Sequence, residues 1–295
     1  MKPSESTMNK DRTNIILFLS PLVIFILLFV LVPILGSFWV SLTRDVSILP
    51  GTRFIGAGNY ISVLRDSQFF ASALFTILFA VVSVSLEMIL GMIVALVINE
   101  KFPGRNLMRG VALLPWAIPC VIGARVWQLI YRYDFGLANL VLSSTLGISV
   151  NWMGGATGAF FSLVVADVWR TTAFVAILVL AGLQTVPEEL YEQGRIDGAG
   201  IWGRFIHITL PSIKAVMIVA LVFRTIDALR VFDIIYVITG GGPGGATSSL
   251  SLYSYQFFLM GDFGMGCAVS ILLFGIAFIF SLSYLKLGRF REAAL

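Results

Sequence analysis

Six stretches of 20 or more mainly apolar residues, at 15–42, 69–98, 107–130, 158–183, 208–238 and 265–287, constrain the fold of this chain more than any other feature. Runs of this length match the hydrocarbon core of a bilayer when wound as helices, and only helices or closed barrels satisfy a backbone there. Composition agrees: 58% of the residues are hydrophobic and 12% charged, where a soluble domain carries about 25% charge. A soluble globule is excluded, and the chain reads as an all-α, multi-pass membrane protein. The first run is longer than the h-region of a secretory signal, about 7 to 15 residues, and no small-residue cleavage site follows it, so it is kept as a span.

An even number of spans puts both termini on one side, and basic residues mark the cytoplasmic side. Twelve of the twenty fall on one face: Lys2, Lys10 and Arg12; Lys101, Arg105 and Arg109; Arg195, Arg204 and Lys214; and Lys286, Arg289 and Arg291. Only Arg44, Arg53, Arg65 and Arg132 fall on the other. Both termini are therefore expected in the cytoplasm. The net charge of +4 reports this topology and not a nucleic-acid partner. The fifth run is the weakest, interrupted by Arg224, Asp227, Arg230 and Asp233. Removing it would strand the C-terminal basic cluster outside, so it is kept.

Charged groups in a span face a cavity or a partner and not lipid. Arg224, Asp227, Arg230 and Asp233 recur every third residue with alternating sign, on one drifting face of the fifth helix. They read either as a lining of a transport path or subunit contact, or as a self-neutralising ladder. Asp167 and Arg170 repeat the spacing around Trp169, and Arg125 stands beside Trp127. A polar group next to an aromatic face suits a sugar ring, although Trp is also an interfacial anchor. Glu87 is a lone carboxylate to which the sequence assigns no role. Pro115 and Pro119 are expected to bend the third helix. The outer loops 45–67 and 132–157 read as docking surfaces or as plain connectors, and the glycine-rich 240–245 as a flexible break. Cys120 and Cys267 read as packing residues. His207, the only histidine, has no nucleophile beside it that the sequence identifies, which leaves neither a catalytic set nor an intramembrane protease.

The inner loop between the fourth and fifth runs is unusually structured. Pro187 suits a first helical position, and Glu188 and Glu189 then fall in the first turn, where the helix dipole favours negative charge. The helix should run to about Asp197, with Gly198 and Gly200 ending it, and should offer Leu190, Tyr191 and Gly194 to a partner groove.

The same loop carries a resemblance. Glu192, Gly198, Ile208, Leu210 and Pro211 stand where the inner-membrane permease subunits of binding-protein-dependent ABC importers have Glu-Ala-Ala, three residues, Gly, nine residues, Ile, one residue and Leu-Pro. Gln193 and Gly194 replace the two alanines, which should loosen the helix. Asp197-Gly198-Ala199 and the segment from Tyr236 to Pro243 resemble the carbohydrate-uptake branch, the maltose-type and glycerol-phosphate-type permeases.

The resemblance implies a type I importer fold: six transmembrane helices with a cytoplasmic coupling helix. It divides the chain into a cytoplasmic tail, first span and outer loop at 1–68, a five-helix permease core at 69–288 with the coupling loop at 184–207, and a cytoplasmic tail at 289–295. Glu189, Leu190, Tyr191, Glu192, Gly194, Asp197, Gly198 and Ala199 would contact an ATPase. Arg125, Trp127, Asp167, Trp169, Arg170, Arg224, Asp227, Arg230 and Asp233 would line the path or meet a second permease. The implied protein is a non-enzymatic subunit in the inner membrane, paired with a similar permease, two ATPase subunits and an extracytoplasmic solute-binding protein. It would bind no cofactor itself, ATP and Mg being held by the ATPase. The expected solute is a neutral sugar; the alternatives are an anion such as glycerol 3-phosphate in the same architecture and, in another class, an autonomous secondary carrier. Carriers of that class usually show inverted repeats, and no repeat is visible.

Overall fold

The computed structural model describes residues 17–47 and 51–289. Lys2, Lys10, Arg12 and Arg291, used above for orientation, lie outside the described residues, as do 290–295 of the C-terminal tail. In chain order the elements are α1 (Leu17–Ser41), β1 (Thr43–Arg44), β2 (Arg53–Phe54), α2 (Gly58–Arg65), α3 (Ser67–Asn99), α4 (Arg105–Ala117), α5 (Cys120–Ile130), α6 (Leu137–Leu146) and α7 (Ala156–Leu183). They continue with α8 (Glu188–Ile196), α9 (Ile201–Ser212), α10 (Lys214–Leu229), α11 (Asp233–Ile238), α12 (Leu250–Leu259) and α13 (Phe263–Arg289). Among the described residues four helices are long and apolar enough to cross a membrane, and the count becomes six if the bent pairs α4–α5 and α9–α10 are each one span.

Contacts divide the described residues into two compact units, one made of those up to Arg65 with Gln256–Ile271, the other of Asp66–Tyr255 with the described residues from Leu272 onward. In the first, α1 buries none of its most apolar stretch within the chain, as suits a helix facing lipid. The buried Asn59 closes its end: one amide donates to the carbonyls of Ser41 and Thr43, both at 2.8 Å. The Ser47 N–H donates to Gly261 O and the Phe263 N–H to Asp45 O, each at 2.9 Å.

In the second unit α3 and α7 form the central pair. They approach closely because Gly91 has no side chain; a Cβ there would sit 2.6 Å from Val175 Cγ1 and 3.2 Å from the Ala176 nitrogen. Small residues at such crossings are how helices pack where water supplies no driving force. Around the pair, Met92, Val175, Val179 and Ile213 form one apolar cluster, and Phe79, Leu163, Ile235 and Leu252 belong to another. Asp66 caps α3, accepting from the Gln68 N–H at 2.9 Å and from the Tyr253 hydroxyl at 2.5 Å. Burial, and then the Asp66 carboxylate, push the Tyr253 phenol up, so it stays a donor.

Proline explains several irregularities. The third run bends as expected, by 92°, but at Ile118–Pro119 and not at Pro115, which stays inside α4. Ile118 is extended (φ −74°, ψ 130°), the conformation that a following proline imposes. The two π-helical stretches, Leu27–Leu31 and Phe205–Thr209, each lie just before a proline, Pro33 and Pro211. A proline ring cannot accept the preceding turn's carbonyl at α spacing, and widening that turn relieves the clash.

Two expectations are corrected. The fifth run is not one helix over 208–238: α10 ends at Leu229, Arg230–Phe232 are non-helical, and α11 starts at Asp233. The hydropathy is continuous there, but the chain turns. Nor is 240–245 a loose break. The Thr239 and Thr247 hydroxyls share a hydrogen bond of 2.8 Å, Thr247 Oγ1 donates to Gly242 O at 2.6 Å, and the Leu250 N–H donates to Thr76 Oγ1 at 2.9 Å. The glycines at 240, 241, 244 and 245 have positive φ and serve a tight, inward-folded turn.

Gly91→Ala should destabilise the chain by about 1–3 kcal/mol through overpacking, read as a lowered melting temperature in detergent. Combined with Val175→Ala, the loss should be smaller than the sum of the two single losses; simple additivity would show that the two residues do not oppose each other.

Candidate functional site

The polar loop builds its helix as the sequence expects, with Pro187 as N-cap, one position ahead of the first helical residue, and Glu188 and Glu189 in the first turn. The helix runs unbroken through Gln193 and Gly194. It ends in a Schellman turn: the Gly198 N–H donates to Arg195 O at 3.1 Å and the Ala199 N–H to Gly194 O at 2.8 Å, with Gly198 at φ +79°. Gly194 is not offered outward. It is buried, and a Cβ there would meet Ile208 Cδ1 at 2.8 Å, so glycine is needed for α8 to lie on α9. Tyr191 also turns inward and shares a 3.1 Å hydrogen bond with Thr209 Oγ1. The outward surface is made by Glu188, Glu189, Leu190, Glu192, Asp197 and Gly198, with Ala199 half-buried. Ile196, Ile201 and Trp202 are also largely exposed there; the sequence reading missed them, although apolar residues flanking a glycine turn in a polar loop were a visible signal.

A second constellation lies within the spans. Glu87 of α3 is fully buried and accepts from Arg224 Nε at 2.5 Å and Nη2 at 3.0 Å, from Ser83 at 2.7 Å and from Thr171 at 2.7 Å. Arg224 further donates through Nη1 to Asp227 at 2.6 Å and lies 3.5 Å from Asp167. One guanidinium thus joins α3, α7 and α10. Glu87, left without a role by the sequence, is its main partner. A charge count would have pointed to it: Arg125, Arg170, Arg224 and Arg230 exceed Asp167, Asp227 and Asp233 by one, and Glu87 closes the balance.

The cluster borders a cavity of about 370 Å³ where α5 begins and α10 breaks into α11. Its wall includes Asp167, Arg170, Arg224, Asp227, Arg230 and Asp233, together with Cys120 and Phe232. Three carboxylates face three guanidinium groups. Arg230 lies 3.6 Å from Asp227. Arg170 does not pair with Asp167 at i, i+3: its Nε is buried with no hydrogen-bond partner among the described residues. Arg125, Trp127 and Trp169 lie outside the wall. Arg125 donates to Gln128 at 2.7 Å, and Trp127 packs edge-on against Trp169 with ring centroids 5.8 Å apart. Among the described residues no group of His, Cys, Asp and Glu is placed to hold a metal.

Comparison with known proteins places this geometry. The family described as "binding-protein-dependent transport system inner membrane component" matches residues 87–290. The chain is 52% identical over 277 residues, 94% of each chain, to the trehalose/maltose transport system permease protein MalF of Thermococcus litoralis. It is 38% identical over 260 residues to the trehalose transport system permease protein SugA of Mycobacterium tuberculosis, covering 86% of this chain and 82% of the relative. The sulfoquinovosyl glycerol transport system permease protein SmoG of Agrobacterium fabrum is 34% identical, with 96% and 92% covered. A bacterial ABC transporter involved in import of the acidic polysaccharide alginate superposes with a TM-score of 0.83 over 97% of this chain and 99% of that one, at 24% identity. That likeness establishes the type I importer permease fold.

Removing Glu87 strands a buried cation. Glu87→Ala should cost about 3–5 kcal/mol, whereas Asp227→Ala, at a half-exposed partner, should cost about 1 kcal/mol or less. Thermal unfolding of the two variants in detergent checks the order, and equal losses would show that Glu87 is not the principal counter-ion.

Proposed function

Since the chain belongs to the inner-membrane components of binding-protein-dependent transport systems, we propose that it is the permease subunit that carries a neutral sugar, of the size of a disaccharide or larger, through the membrane. The observation that carries this reading is the polar cavity at the helix breaks: its wall alternates three carboxylates with three guanidinium groups, which supply acceptors and donors for hydroxyls. The relatives named for trehalose and maltose support it. Arg170, whose Nε has no hydrogen-bond partner among the described residues, favours a second reading, a sugar bearing one acidic group.

In this reading the chain pairs with a second permease, receives solute from an extracytoplasmic binding protein, and rests on two ATPase subunits that hold ATP and Mg. Both termini and α8 face the cytoplasm. Glu188, Glu189 and Glu192 present an acidic face to the ATPase. Closure of the ATPases on ATP moves α8; α8 is packed on α9, which leads directly into α10, the helix that carries Arg224 and Asp227 to the cavity. The path switches from inward-facing to outward-facing because nucleotide binds the two states with different affinity.

Uptake into vesicles holding the reconstituted importer tests the solute: unlabelled trehalose or maltose should compete with labelled disaccharide and phosphorylated sugars should not. Inhibition by the phosphorylated compounds alone would overturn the neutral-sugar reading. Glu192→Lys should reduce the ATPase retained by the tagged chain in gentle detergent about tenfold or more, a change of about 1.4 kcal/mol, with helix content unchanged. Full retention would remove Glu192 from the contact.

A further inference from the structure

Helix α9 has two unlike flanks. On one, Ile208 and Arg204 pack beneath Gly194, and Thr209 bonds Tyr191, so this flank is occupied by α8. On the other, Trp202, Ile206 and Leu210 are 76%, 52% and 40% exposed, with Ile201 at 78% beside them. Residues four apart on an α-helix drift by about 40° per step. The π turn at Phe205–Thr209 winds less per residue and removes most of that drift. It therefore aligns Trp202, Ile206 and Leu210 in one stripe and turns Arg204 and Ile208 to the far side.

We infer that this stripe lies in the interface of the lipid bilayer, so that α9 is an in-plane foot on which α8 is carried. Three observations select lipid as the occupant. First, α9 is continuous with α10, the longer arm of a spanning pair, and meets it at 68°, so it runs mainly across the direction of that arm. Second, the exposed apolar surface continues on α10 at Val219 and Phe223, again four apart. Third, the stripe begins with Trp, a residue that favours the headgroup level, and Arg204 and Lys214 supply the cationic character typical of interfacial helices. Lipid on one flank and α8 on the other fix the height of α8 above the membrane. The π turn acquires a purpose beyond accommodating Pro211: without it the stripe would curl away from the surface.

Nitroxide accessibility tests this on the full chain in nanodiscs of phosphatidylethanolamine and phosphatidylglycerol. Cys120 and Cys267 are replaced by alanine, and single cysteines are placed at Trp202, Ile206 or Leu210, with Asp197 as reference. Collision with oxygen, which partitions into lipid, should exceed collision with a water-soluble nickel chelate at all three stripe positions, and the order should reverse at Asp197. If Trp202→Cys does not fold, Ile206→Cys and Leu210→Cys carry the same reading. Chelate access exceeding oxygen access at Ile206 would place the stripe in water, and low access to both would make it a protein-docking face; either overturns the inference. The measurement needs no ATPase or solute, so failure of the transport reading would leave it intact.

Discussion

A guanidinium does not lose its proton in a protein, so when only 3% of its side chain is exposed within a membrane span its charge and its N–H donors must be answered by protein groups. Around Arg224 that demand fixes where three helices stand. Glu87 meets it edge-on with two bonds from α3, Asp167 approaches from α7, and Asp227 answers from the next turn of α10. These side chains are short relative to the diameter of a helix, so the backbones must come close. Gly91 against Val175 provides this between α3 and α7, and Gly182 against Val216 provides it between α7 and α10. A buried ion pair contributes little net stability over a well-packed apolar one. Its effect here is to specify one arrangement of α3, α7 and α10, because any slippage leaves a charge unanswered.

The same cluster ends at the cavity, where the helices are discontinuous. A break inside hydrocarbon frees backbone groups, and such breaks persist only where protein or a cavity answers them. The break at Arg230–Phe232 and the end of α11 meet that condition. The amide of Gln128 donates to the Val237 carbonyl at 2.8 Å, and the Ser249 hydroxyl donates to the Val231 carbonyl at 2.8 Å. The inward-folded turn at 239–250 is thus part of the wall support, which explains why four of its residues, Thr247 to Leu250, are buried. Bent helices, counter-charged walls and a buried turn are one solution to a single problem, a polar volume held open among apolar spans.

How much of this was legible in the sequence depended on the kind of signal. Spans α3 and α7 were located within about two residues because transfer free energy depends on composition, which a sequence shows directly. Helix α8 was legible down to its Schellman turn, since proline, early glutamates and a late glycine each act on the backbone within a few residues. The break at Arg230–Phe232 was not legible: apolar residues continue through it, and hydropathy does not report backbone dihedrals. The bend at Pro119 was anticipated, but its position depended on which of two prolines the packing tolerated within a helix. Gly194 was misread as an outward contact because its role depends on Ile208, fourteen residues later and on another helix. Glu87 and Arg224 are 137 residues apart, and only a charge balance over all the spans connects them. Local chemistry was readable, and pairings between distant segments were not.

On the proposed cycle, motion must pass from α8 to the cavity through α9, and the magnitudes say which contacts carry it. Driving a two-state element from one side to the other, from 1:99 to 99:1, takes about 5.5 kcal/mol of differential binding. The hydrogen bond between Tyr191 and Thr209 contributes about 0.5–1.5 kcal/mol net and would yield before transmitting such a bias. Close-packed atoms do not yield in that way, because interiors are dense and compress little. The load therefore falls on the contact of Gly194 with Ile208 and on the tight turn from Asp197 to Gly200 that joins the two helices. Beyond α9 the chain bends at Ile213, whose side chain is fully buried in the cluster with Val175, Val179 and Leu183. In that cycle the bend, seated against α3 and α7, would act as a pivot, so that displacement of α8 on one arm would become rotation of α10 on the other, carrying Arg224 and Asp227 at the edge of the cavity.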